Sequence, residues 1–372
     1  MSLALDTGKY GLAVGTPAIK SVGPLTFGPD GILFVADNVG ATIFAIDLDD
    51  ADPASKTHVV NVENLDSRLA AYLGCPREDV SIRDMAVHPS SENVYLSVMR
   101  GSGADGIPLV IKVAADGTIS DVPLDDIAFS QTTIQDAPAQ NDERTDGRVV
   151  RGDREGEARV MPSGKTLHIA RDRLRNVAVT DMAYLDGMLL VAGASNEEFS
   201  STLRRVPFPF TGDTASNSLE IFHVSHGRYE TAAPIRTFMP YAGNSSVVAS
   251  YTCTPVVHFS LGDFQPGSQV KGRTVAELGS GNTPIDILSF TRDGDEYLLV
   301  SNTRHPLIKI ACKDIEGQQG LTEPKQPVGV PREALPHEGV SRMANLNHSY
   351  VLMMQEDPAG DVHLRSYASA SL

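Results

Sequence analysis

Pro24-Leu-Thr-Phe27, Pro29-Asp30-Gly31, Ile32-Leu-Phe-Val-Ala36, Asp37-Asn38-Val39-Gly40 and Ile43-Phe-Ala-Ile-Asp47 follow one another almost without interruption. The three apolar, β-branched runs have strand length and strand composition. Pro-Asp-Gly between the first two is a hairpin signal, because the glycine accepts the positive φ that a tight turn requires. The polar Asp37–Gly40 makes a second reversal. The stretch therefore reads as a three-stranded antiparallel meander.

The same order of runs and turns recurs five times. It restarts at Asp84-Met-Ala-Val87, Asp181-Met-Ala-Tyr184, Arg236-Thr-Phe-Met239, Asp286-Ile-Leu-Ser-Phe290 and Arg342-Met-Ala-Asn345, with Asp-Gly turns at Asp186-Gly187 and Asp293-Gly294. Aligning Leu25, Met85, Met182, Phe238, Ile287 and Met343 gives spacings of 60, 97, 56, 49 and 56 residues. Repeats of this length, each with at least three strands, predict propeller blades. The expected fold is all-β: a six-bladed β-propeller of four-stranded antiparallel blades around a central channel, forming one domain over residues 1–372. The spacing of 97 leaves room for a seventh blade, built from Ala158-Arg-Val-Met161 and Thr166-Leu-His-Ile-Ala170 around Ser163-Gly164. The polar residues 140–157 read instead as a loop insertion. Residues 1–22 read as an arm supplying the strand that closes the ring. Short helices are expected over 62–73, stopped by Gly74, and over 331–335.

Composition excludes several classes. The 372 residues carry 31 Lys+Arg against 47 Asp+Glu, a formal charge of −16. Nucleic acid and anionic membrane surfaces call for a basic face, so neither is an expected partner. No apolar run approaches the roughly 20 residues of a membrane helix. Cys75, Cys253 and Cys312 lie too far apart for a CxxC pair or a disulfide framework. No GxGxxG, GxxxxGK or GxSxG pattern supports a nucleotide cofactor or a serine hydrolase. The first twenty residues lack the order of a signal peptide. The compartment stays open: periplasmic or secreted if a leader has been removed, cytoplasmic otherwise.

The blades resemble the superfamily of six-bladed propellers that contains NHL-repeat, strictosidine-synthase-like and gluconolactonase-like proteins. Phe27-Gly-Pro-Asp-Gly31 and Leu33-Phe-Val-Ala-Asp37 carry this most clearly. Ser195-Asn-Glu-Glu-Phe199, Pro207-Phe-Pro-Phe210 and Tyr251-Thr-Cys-Thr-Pro255 look like a bacterial branch of it. In the gluconolactonase-like enzymes a metal-ligating glutamate precedes the first Gly-Pro. Val22 holds that position here, so the resemblance implies the fold and not that metal site.

Propeller geometry places candidates without alignment. Antiparallel strands put the start of each innermost strand and the end of each second strand on one rim. Asp84, Asp181 and Asp286 then occupy equivalent channel positions on three blades, with Arg236 and Arg342 near that position on two others. The three carboxylates are candidate ligands for a divalent metal (Ca, Mg or Zn), or clamps on backbone N–H groups of neighbouring blades. Asn196, Cys253, Asn302 and His305 end second strands and join the two arginines as candidate binding residues. Glu197 and His226 are candidate acid–base groups, and His305 or His226 could partner a Cys253 thiolate. His223 and His226 form an HxxH that lacks the one-face geometry of a helical zinc motif. His258 and His363 share a third-strand column with Ala45, Lys112, Arg205 and Lys309 that reads as solvent-facing. The function expected is a small polar molecule bound at the channel mouth, with metal-assisted hydrolysis or elimination on a lactone or sugar acid. The alternative is a non-catalytic scaffold for a protein partner.

Overall fold

The computed structural model describes residues 8–50, 54, 59–151, 156–161, 164–325 and 327–372. The repeats fold as expected at the level of strands. Sheet 1 orders Leu25–Phe27, Leu33–Asp37 and Thr42–Ile46 from inside outward. Sheet 2 uses Val80–Val87, Val94–Arg100, Ile107–Val113 and Ile119–Asp121. Sheet 3 begins at Asp181–Leu185 and runs through Met188–Ala194, Ser201–Pro207 and Ala215–His223 to Arg228–Glu230. Sheet 4 comprises Thr237–Tyr241, Ser246–Ser250, Pro255–Ser260 and Arg273–Glu277, edged by Val328–Gly329. Sheet 5 comprises Pro284–Arg292, Asp295–Asn302, Ile308–Ala311 and Glu333–Ala334. Sheet 6 comprises Val340–Asn347, Tyr350–Glu356 and Val362–Ala368. At the Asp293-Gly294 turn both residues have positive φ, 53° and 86°, the twist that joins two strands by two residues.

Each sheet buries both faces against neighbours, and the buried clusters give the neighbours in turn. Phe44 and Ile46 of sheet 1 pack on Tyr95 and Val110 of sheet 2. Leu96 and Ile111 of sheet 2 pack on Leu352 and Leu364 of sheet 6. Val351 and Met353 of sheet 6 meet Leu299 and Phe290 of sheet 5. Leu298 and Val300 of sheet 5 meet Val248 and Val275 of sheet 4. Val247 and Phe259 of sheet 4 meet Leu190 and Leu203 of sheet 3. Leu189 and Val191 of sheet 3 meet Phe34 and Ile43 of sheet 1, which returns to the start. The innermost strands touch in the same succession. This architecture is consistent with a β-propeller.

Two features depart from the expected chain path. The sheets succeed one another as 2, 1, 3, 4, 5, 6, and outer strands come from distant chain. Ile127–Thr133, which follows sheet 2 in sequence, lies along Thr42–Ile46 as the outer strand of sheet 1. Val62 bridges to Leu364, so chain that follows sheet 1 flanks sheet 6. The N-terminal arm supplies Ala13–Gly15, which pairs with Ile127–Thr133 as the outermost strand of sheet 1. Residues 1–7 of the arm lie outside the described residues.

The polar insertion is not a loop. Thr145–Val150 and Glu157–Val160 pair with Thr166–Arg173 to make a seventh, three-stranded sheet. Arg148 pairs with Asp172 at 2.7 Å across it, and Val149, Val150 and Leu167 are buried. The hairpin weighed as a seventh blade therefore exists, although Ser163 lies outside the described residues, but the sheet stands outside the succession of six. The same holds for residues 152–155 of the insertion, which also lie outside the described residues.

An α-helix spans Leu65–Leu73 and ends on Gly74, whose φ of 63° lets its N–H reach the carbonyl of Ala70. The helix expected over 331–335 is instead the strand Glu333–Ala334, held by Ile308 and Lys309. The column read as solvent-facing is largely covered: Ala45, Lys309 and His363 are buried, Lys309 reaching the carbonyl of Leu372 and His363 lying between Glu63 and Asp357. Outer strands and connections overlie it, and inner-strand patterning cannot register them. Among the described residues, no helix is long and apolar enough to cross a membrane.

Candidate functional site

The innermost strands line a cavity of about 330 Å³ that receives Asp84, Asp181 and Asp286. Asp181 opens its inner strand, whereas Asp84 and Asp286 lie within theirs beside a shift of register, and all three reach the next sheet in the same rotational sense. Asp84 Oδ2 accepts from Leu25 N at 2.7 Å, Asp181 Oδ2 from Phe238 N at 2.8 Å, and Asp286 Oδ2 from Met343 N at 2.6 Å. The acidic sheets alternate with sheets that donate, so three carboxyls clamp six sheets in pairs. Burial pushes the Asp181 carboxyl up to about 7 and Asp286 well above the ordinary range, and the neighbouring carboxylates add to both. Burial also raises Asp84, opposed by Arg342 with Nε at 3.2 Å from Oδ1.

The seventh sheet lies over one side of this mouth as a cap. Arg236 pairs with Asp146 of the cap and donates to Thr252 Oγ1 at 2.9 Å. Val149 N donates to Thr283 Oγ1 at 2.9 Å. Arg151 donates to the carbonyls of Asn302, Gly339 and Val340 at 2.7–2.8 Å. Arg304 reaches the carbonyl of Thr166 at 3.0 Å. Arg236 and Arg342, expected to meet a ligand, are thus engaged in holding the cap and the ring. Asn302 is buried and accepts from Asn282 Nδ2 at 2.9 Å. Asn196 and Glu197 are exposed, where the acid–base role expected of Glu197 requires burial; their backbone carbonyls receive Arg144.

Between the cap and the rims of sheets 5 and 6 lies a cleft of about 560 Å³, lined by Arg151, Asn302, His305, Gln355 and Glu356 among others. His305 Nε2 is buried and finds no hydrogen-bond partner among the described residues. Burial lowers the His305 imidazole, helped by Lys165, Arg304 and Arg332, which favours the neutral ring.

A second cluster occupies the same rim, where sheet 3 meets sheet 4. His223 ends the strand Ala215–His223, and the turn that follows carries His226 before the chain returns as Arg228–Glu230. The turn aims both imidazoles at one carboxylate: His223 Nδ1 lies 2.7 Å from Glu230 Oε2 and His226 Nδ1 2.7 Å from Glu230 Oε1. Burial pushes the Glu230 carboxyl up, but the two histidine hydrogen bonds outweigh it and hold it down at about 2. Sheet 4 brings Cys253 on the turn between Ser246–Ser250 and Pro255–Ser260. Cys253 and Thr254 adopt φ of 65° and 64°, left-handed conformations that cost about 1–2 kcal/mol each for residues other than glycine. Cys253 N donates to Asn282 O at 2.8 Å, fixing the turn. One ligand-type atom from each of His223, His226 and Cys253 lies within 4.8 Å of the others. Glu277, at the end of sheet 4's outer strand, is fully buried with Oε2 3.9 Å from His223 Nε2. Burial pushes its carboxyl up to about 8.

The structure thus gathers His226 and Cys253, and adds His223, Glu230 and Glu277. Sequence reasoning reached His223 only as half of an HxxH, judged against helical geometry although a hairpin turn carries it. Glu277 has no local signal at all.

No family model matches the chain, and no curated protein matches it. Solved structures resemble it at low identity. The extracellular domain of a protein described as a hybrid two-component system from B. thetaiotaomicron aligns at 13% identity and a TM-score of 0.39, over 96% of this chain and 40% of that one. Virginiamycin B lyase from Staphylococcus aureus aligns at 10% identity and a TM-score of 0.35, over 96% and 99%. Drosophila Semaphorin 2a aligns at 10% identity and a TM-score of 0.42, over 96% and 75%. No residue role is transferred from any of them.

Proposed function

We propose that the protein is a six-bladed β-propeller that binds a small polar molecule at the capped mouth of its channel, in the cleft beside His305. The observation that carries this reading is a concave site of about 560 Å³ whose lining brings together Arg151, Asn302, His305, Gln355 and Glu356. Ligand sites have this volume and a few convergent polar groups. Asn302 and the backbone of Gly339 belong to rigid strand ends, so the cleft is pre-formed. The polar lining, with Gln355 and Glu356 facing Arg151, suits hydroxyl-rich or carboxylate-bearing molecules such as sugar acids and their lactones. Asp84, Asp181 and Asp286 need no cation to account for them, since each is placed by a neighbouring backbone N–H.

Calorimetric titration with gluconate and gluconolactone tests the reading. Binding is expected for the intact protein and at least tenfold weaker binding for His305→Ala, the loss of one polar contact of about 1.4 kcal/mol. Equal affinity in that variant, or no heat from either compound, would exclude this cleft as their site.

A further inference from the structure

We infer that His223, His226 and Cys253 hold one zinc ion, with a fourth coordination position left open beside Glu277. The donor set decides the class of metal. Two imidazole nitrogens and a thiolate suit zinc and its borderline neighbours, whereas calcium and magnesium take oxygen ligands.

The histidines are already in the ligating tautomer. A carboxylate only accepts, so each Nδ1 facing Glu230 carries the proton, and each Nε2 presents its lone pair. This is the carboxylate–histidine–metal arrangement that orients imidazole ligands, here with one carboxylate serving both rings. The rings stand side by side, centroids 3.9 Å apart, and Arg228 Nε braces the shared carboxylate at 3.0 Å.

The donors are near their final separation. Tetrahedral zinc with bonds of about 2.0–2.3 Å sets its donors about 3.3–3.6 Å apart. One nitrogen of each imidazole and the Cys253 sulfur lie within 4.8 Å of one another, so small side-chain rotations close the set. His223 is 3% exposed, yet its Nε2 has no hydrogen-bond partner among the described residues. A buried imidazole nitrogen left empty is costly unless something binds it. The left-handed backbone at Cys253 and Thr254 keeps the thiol on this side of the turn and fits a position whose strain serves a site.

Glu277 stands beside the ligand set and not in it. Its Oε2 is 3.9 Å from His223 Nε2 and receives Ser225 N at 3.4 Å, while Oε1 has no partner among the described residues. Three protein ligands with an open fourth position, flanked by a carboxylate, is the pattern of reactive zinc and not of a closed structural site. The His226 side chain is 44% exposed, so water or a substrate oxygen can reach that position. The centre shares no side chain with the cleft beside His305, so either can be wrong without the other. Arg332 links them along the rim, since its charge acts on both Glu277 and His305.

The test uses the full chain, stripped with chelator, reloaded with zinc chloride and gel-filtered before elemental analysis. One zinc per chain is expected. Cobalt(II) loading should give an absorption band from thiolate-to-metal charge transfer, lost in Cys253→Ser. His226→Ala, at an exposed position that leaves the fold intact by circular dichroism, should bind at least tenfold more weakly. Glu230→Gln should keep the stoichiometry but lose ~10–100-fold in affinity. Glu277→Gln should keep both stoichiometry and the cobalt spectrum. Substoichiometric zinc in the wild type, or unchanged affinity in both Cys253→Ser and His226→Ala, overturns the site. Loss of the ion in Glu277→Gln overturns the open fourth position.

Discussion

Replacing Asp181 by Asn isolates the charge at the centre of the ring. The amide keeps one acceptor for Phe238 N at 2.8 Å and gives up the one that Met182 N uses at 2.7 Å, a cost that does not change with pH, while it removes the titrating charge. The native carboxyl is held at about 7, against an ordinary value of 3.8, chiefly by burial. A raised carboxyl means that the folded state binds more protons between these limits. Its contribution is therefore complete below pH ~4 and is lost as pH rises through 7. The full shift corresponds to ~4 kcal/mol at about 1.4 kcal/mol per unit, and partial access to the channel reduces this to roughly 1–2 kcal/mol. The assay is urea unfolding of wild type and Asp181→Asn at pH 5, 6, 7, 8 and 9. Measured against its difference from wild type at pH 5, the variant should gain roughly 1–2 kcal/mol by pH 9. Because other titrating groups are common to both proteins, the difference between them carries the result. A difference that stays constant with pH, or that moves in favour of wild type as pH rises, would refute the account of the channel aspartates as buried clamps.

Asp50 is the opposite case: burial raises its carboxyl, but hydrogen bonds from Tyr95, Asn93, Lys112 and Ser91 outweigh that and hold it at about 2. Its stabilisation is present above pH ~4 and lost as pH falls through 2, so Asp50→Ala should cost ~2–3 kcal/mol at pH 7 and much less near pH 2, measured by chemical unfolding. Arg236→Ala leaves Asp146 buried and unpaired, and should release the cap from the mouth, read as faster hydrogen exchange over 145–150 and 166–173 with sheets 2 and 6 unchanged. Phe259→Ala, between sheets 3 and 4, should cost ~3–5 kcal/mol in unfolding free energy; a loss below 1 kcal/mol would mean that the two sheets do not share that core.

The strands were legible because their determinants are local. Asp186-Gly187 and Asp293-Gly294 specify turns within two residues, and the runs beside them have nowhere to go but antiparallel. The aspartates were legible for the same reason: each stands at the start of a run, immediately before the aligned apolar residue. The succession of sheets was not. Ile127–Thr133 and Val62 bring outer strands to sheets far from them in sequence, and such strands carry polar outward faces whose pattern does not name a partner. The cap was misread because its residues are polar, yet charge pairs such as Arg148 with Asp172 and Arg236 with Asp146 let a polar sheet settle on a polar rim.

The distinction between clamps and ligands follows from the same geometry. Asp84, Asp181 and Asp286 are each engaged by a backbone N–H of the next sheet. Residues at the outer rim have no such obligation. His223, Cys253 and Glu277 come from a strand end, a turn with left-handed backbone and another strand end, on two sheets that pack against each other. Their approach is therefore a product of tertiary packing, invisible to any local pattern, and it leaves polar atoms uncompleted exactly where packing cannot complete them. It is on such atoms, and not on the repeating acidic positions that first attract attention, that the zinc proposal rests.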